Sequence, residues 1–103
     1  GRRFSNMREY EVTIIIQPQL EESERNNLIE QISDLLVPEA ADEAKPKANE
    51  WGLRRMAYPI RNFKEGYYVL YEGSLDPTRI TDIERRLQYT EDVLRYLVVR
   101  KEA

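Results

Sequence analysis

From residue 10 to 16, apolar side chains first alternate with polar ones and then run together as Ile14-Ile15-Ile16. A run so rich in β-branched residues predicts a strand, and its unbroken apolar end predicts a central one. Gln17-Pro18 closes it. The period then lengthens. Leu28, Ile29, Ile32, Leu35 and Leu36 fall at the offsets that line one side of a helix, behind a first turn made acidic by Glu21, Glu22 and Glu24. Pro38 stops that helix. Residues 38–50 carry no large apolar side chain and read as a loop or a frayed strand start.

Residues 51–60 form a second predicted strand. Pro59 near its end places this strand at a sheet edge, where a missing N–H is tolerated. Residues 61–66 read as a turn and 67–71 as a third strand, so that strands two and three make a hairpin. Asp76-Pro77 supplies an N-cap acceptor followed by proline at the first helical position. Ile80, Ile83 and Leu87 give the second helical stripe, and residues 93–99 a fourth strand.

The order β-α-β-β-α-β predicts an α+β domain of the split β-α-β type, a four-stranded antiparallel sheet in the order 4-1-3-2 with both helices on one face. Two helices cover one side of a sheet, and a wet second side calls for clean alternation. Strands three and four do not supply it. Tyr67, Val69 and Tyr71 share one face and Tyr68 and Leu70 the other; Leu94, Tyr96 and Val98 oppose Val93, Arg95, Leu97 and Val99. Apolar groups therefore remain outside, either as a partner surface or as ordinary scattered exposure.

Composition narrows the functions open to such a domain. One modest core is all that 103 residues allow, and the net charge of −3 argues against a globally basic nucleic-acid binder while leaving room for a local basic patch. The absence of cysteine and histidine excludes disulfides, thiolate zinc sites, cysteine nucleophiles and imidazole bases. The four glycines are scattered, so no phosphate-cradling loop exists, and no serine has a histidine partner. The sequence predicts no enzyme, no cofactor, no metal, no small-molecule substrate and no membrane span. Gly1-Arg2-Arg3-Phe4-Ser5-Asn6 reads as an extension, native or left by cloning, ahead of a single domain over 7–103 with Met7 as a start.

Arg54, Arg55, Arg61 and Lys64 cluster on strand two and its turn, with Trp51 and Tyr58 among them; Arg8 opens strand one, and Arg95 and Arg100 lie on strand four. Guanidinium groups suit phosphate and neighbouring aromatics suit unpaired bases. Arginines next to acids also form plain solvated faces, and residue types alone leave both readings open.

Met7-Arg8-Glu9-Tyr10-Glu11-Val12, Gly52-Leu53-Arg54-Arg55-Met56-Ala57-Tyr58-Pro59-Ile60, Gly66-Tyr67-Tyr68 and the ending over 93–100 resemble the family of bacterial small-subunit ribosomal protein six. The similarity runs in order over 7–101, with 52–60 the most specific stretch; the loop at 38–50 is slightly longer than the family's, and residues 1–6 have no counterpart. The resemblance implies a ferredoxin-like fold and a structural, cytoplasmic role on the ribosome. It implies binding to the central domain of small-subunit ribosomal RNA jointly with ribosomal protein eighteen, which would lie against the sheet. By position, Arg8, Arg54, Arg55, Arg61 and Arg95 are the expected RNA or partner contacts, the two roles undivided. Tyr68, Leu70 and Leu97 are the expected protein interface. A free-standing single-strand RNA binder and a self-associating regulatory domain of the same topology are the alternatives.

Overall fold

β1 (Arg8–Ile16) is the strand on which the rest of the chain packs. It pairs antiparallel with β3 (Phe63–Leu75) on one side and with β4 (Val93–Arg100) on the other, while β2 (Lys47–Ile60) pairs with β3 and forms the outer edge. The sheet order β2-β3-β1-β4 is the predicted 4-1-3-2 read from the other edge. The computed structural model describes residues 7–41 and 43–101; the extension expected at 1–6 lies outside them.

α1 (Glu22–Leu36) begins on a capping box, in which Glu21 and Glu24 satisfy each other's backbone N–H groups. Its last turn has no cation of its own and no glycine cap. Cations from other segments take its final carbonyls instead. Arg79 donates to Leu36 O and Leu35 O at 3.1 Å each, and Lys45 to Val37 O at 2.7 Å. α2 (Ile80–Gln88) is entered through a short 3-10 turn (Pro77–Arg79), with Asp76 accepting from the Thr78 N–H as its cap. The Thr78 hydroxyl, which donates to the same carboxylate oxygen, and then that N–H hold the Asp76 carboxyl below its usual range.

The helices bury Leu28, Ile29, Ile32, Leu36, Ile83 and Leu87 against Val12, Ile14, Ile16, Val69 and Tyr71 of the sheet. Tyr71 is fully buried, and its hydroxyl donates to Ile29 O at 2.9 Å, which satisfies that phenol within the core. Burial pushes that phenol well above the usual tyrosine range.

Three expectations are corrected. β2 starts at Lys47, ahead of the start expected at Trp51, so the end of the segment read as a loop or a frayed strand start is strand. β3 starts at Phe63 and runs to Leu75, so the turn is only Arg61-Asn62, both in the left-handed region with φ of 50° and 69°. Finally, the pairing Ile15↔Arg95 then Ile16↔Val93 skips Leu94. That bulge breaks strict alternation. Val93 joins Tyr96 and Val98 on the helix side, and Leu94 goes to the opposite face.

The lengthened hairpin answers part of the open-face question. Its far end brings Met56 against Ile15 and Leu94 on the face away from the helices, with Ile60, Phe63 and Tyr68 packed around them. Gly66 makes this approach possible, because a Cβ there would stand 2.3 Å from Ile15 Cγ2. The protein thus carries a second, small core on its open face, at the hairpin end.

Candidate protein and RNA interfaces

Beyond the small core, the open face is laid out in cross-strand rows. Asn49, Leu70, Thr13 and Leu97 form one row; Lys47, Glu72, Glu11 and Val99 form the next; Ser74 and Glu9 follow. Leu97 is 58% exposed and Val99 43%. Leu70 is half-buried between its neighbours. Tyr68 stands one row closer to the hairpin end and is spent largely on packing against the small core. The predicted interface residues Leu70 and Leu97 therefore share an apolar strip, and Tyr68 borders it.

The carboxylates in these rows escaped the sequence reading. Glu9 and Glu11 alternate with Tyr10 and Val12, which already places them opposite the buried side of β1. Glu72 belongs to the part of β3 beyond residue 71. Together they border the strip with negative charge. Ser74 Oγ donates to Glu9.

The five predicted arginines occupy three separate places. Arg8 lies exposed at the start of β1, opposite Leu75, and donates to Met7 O at 2.9 Å. Arg54 and Arg55 are exposed on the outer strand β2, opposite Gly66 and Glu65. Arg54 holds its guanidinium 5.3 Å from the Trp51 ring centroid. Arg61 and Arg95 meet at the hairpin end. Arg61 donates to Glu91 O at 2.7 Å and to Val93 O at 3.2 Å, which makes it a latch between the hairpin tip and β4. Arg95 donates to the Tyr58 hydroxyl at 2.9 Å and lies 5.6 Å from that ring's centroid. An open recess of about 300 Å³ beside them is lined by Leu87, Val93 and Tyr96.

Nothing in this arrangement resembles a reaction centre. Among the described residues no three metal-ligating side chains come together, and no helix is long and apolar enough to cross a membrane. The raised Tyr67 phenol has a structural cause: its hydroxyl donates to Glu50 Oε1 at 2.6 Å, on the helix side of the sheet.

Comparison with known proteins places these surfaces in context. The family model described as Ribosomal protein S6 matches residues 9–100. The small ribosomal subunit protein bS6 of Fusobacterium nucleatum is 40% identical over 96 residues, covering 93% of this chain and 100% of that protein. Its counterpart in Moorella thermoacetica is 38% identical, covering 93% and 96%. The crystal structure of 30S ribosomal protein S6 from Thermotoga maritima superposes with a TM-score of 0.82 at 29% identity, covering 92% of this chain and 88% of that one.

Proposed function

The chain belongs to the ribosomal protein S6 family, and on that premise we propose that it binds small-subunit ribosomal RNA as half of a pair with ribosomal protein eighteen. It is a structural ribosomal protein of the small subunit and not an enzyme. Its proposed place is the central domain of the RNA, on ribosomes in the cytoplasm, and its proposed unit of assembly is one domain over 7–103.

The observation that carries the pairing is the chemistry of the open face. Leu70, Leu97 and Val99 form a strip that water covers at a cost, and Glu9, Glu11 and Glu72 border it. Three carboxylates outnumber the single Lys47 ammonium in these rows and disfavour phosphate, whereas a basic protein gains both apolar burial and charge complementarity. A ribosomal RNA-binding partner is such a protein. The middle positions of the two central strands support the same reading. They hold Thr13 and Leu70, not the aromatic platforms that a sheet needs to stack bases. RNA falls to the margins, where the arginines are. An acidic chain then needs to supply only part of the phosphate-neutralising charge.

Leu97→Asp tests this directly. Mixed with purified ribosomal protein eighteen, the variant should bind at least about tenfold more weakly than wild type, while its urea midpoint stays within error. Unchanged affinity would remove the open face from the interface. A stable homodimer of the chain through that face would favour self-association instead.

A further inference from the structure

Trp51 lies where β2 departs from regular pairing. Glu50 opposes Val69 and Gly52 opposes Tyr68, so Trp51 is the extra residue of a β-bulge. Gly52 takes φ +87°, and a Cβ there would meet nothing within 4 Å. Glycine is thus required by the backbone conformation and not by lack of room. The bulge turns the only tryptophan of the chain outward on the free edge of the sheet, with 49% of its surface in water. A tryptophan that exposed does little for the core and is not among the residues of either apolar cluster.

Its neighbours give it a chemistry. The Arg54 guanidinium stands over the indole at 5.3 Å. Arg54 and Arg55 make no ion pair with the described residues. The nearest acid in sequence, Glu50, has an oxygen occupied by the Tyr67 hydroxyl. An exposed indole with a guanidinium over it, and no ion pair on that guanidinium, matches what unpaired nucleic acid offers: a flat base next to phosphate oxygens. Paired RNA does not fit as well, since an A-form helix hides its bases in a deep, narrow groove.

We propose that Trp51 is a stacking platform for one unpaired base of the bound RNA, with Arg54 taking an adjoining phosphate. Gly52 is a positioning residue, holding the indole outward. This assignment rests on the RNA-binding reading above and divides the arginines: the β2 edge serves RNA, and the open face serves protein.

The chain is prepared with 5-fluorotryptophan, which labels this single position, and mixed with unlabelled ribosomal protein eighteen and then with a fragment of the small-subunit central-domain RNA. The fluorine resonance should stay nearly fixed when the protein partner is added and shift when RNA is added. In filter binding, Trp51→Ala should weaken RNA affinity about tenfold, while Trp51→Phe should keep most of it. RNA binding with an unmoved resonance and an unaffected Trp51→Ala would overturn the platform and leave the RNA-binding role intact. A shift caused by the protein partner alone would reassign Trp51 to the protein interface and equally overturn it. Failure of the wild-type pair to bind RNA at all would overturn both.

Discussion

The Arg61 guanidinium donates to the carbonyl oxygen of Glu91 at 2.7 Å, tying the tip of the β2–β3 hairpin to the turn before β4. A second hydrogen bond reaches Val93 O at 3.2 Å. The planar fork of arginine meets both carbonyls at once, which a lysine ammonium on a flexible stem does poorly. Arg61→Ala should therefore cost about 1–2 kcal/mol in urea unfolding, and Arg61→Lys should recover only part of it. Faster amide exchange at Met56 and Phe63, with β1 amides unaltered, would locate the loss at the hairpin end.

Gly66 is a contact residue before it is a flexible one. A methyl group there would sit 2.3 Å from Ile15 Cγ2, and a β-branched side chain in a strand has few other rotamers to move into. Gly66→Ala should destabilise by about 1–3 kcal/mol through overpacking. In an Ile15→Ala background the added methyl should cost much less, so a double-mutant cycle should show strong coupling between the two positions. Additive effects would mean that the hairpin end does not pack as described.

Tyr71 links stability to high pH. Its phenol is buried and hydrogen-bonded, and its pKa in the folded protein is raised above the ordinary 10.0. A group whose folded pKa is raised contributes stability that is complete below the unfolded pKa and is lost as pH climbs toward the folded value. The wild-type urea midpoint should accordingly fall as pH rises above about 10. Tyr71→Phe should lose about 1 kcal/mol at neutral pH and show a flatter decline above pH 10.

Much of this protein was legible in its sequence because local signals and the fold agree. Asp76-Pro77 marked a true cap, the stripes of both helices are the buried ones, and the strand order followed from the element order. What was not legible depends on pairing across the sheet. Nothing in residues 93–95 announces that Leu94 is skipped by β1, so strict alternation put Val93 and Leu94 on the wrong faces. Gly66 looked like a turn residue because a strand glycine and a turn glycine are the same letter; only the approach of Ile15 separates them. That misreading shortened β3 at its start and concealed the small core under the hairpin, while ending the strand at Tyr71 left Glu72 out of account. For the same reason Arg61, grouped with the other arginines by charge, emerged as a latch to main-chain carbonyls. Arg54 and Arg55 kept their freedom, and their partner Trp51 was visible as an aromatic among basic residues but not as the extra residue of a bulge.

We propose that RNA is held by a pair and not by this chain alone. Equilibrium binding to the central-domain RNA fragment, measured across a salt series for the isolated chain and for its mixture with ribosomal protein eighteen, tests it most directly. If binding is shared, the isolated chain binds weakly at physiological salt. The mixture should bind tightly, with a steeper dependence of log K on log salt because the partner brings additional phosphate contacts. Tight, sequence-specific binding by the isolated chain, unaltered when the partner is added, would contradict it.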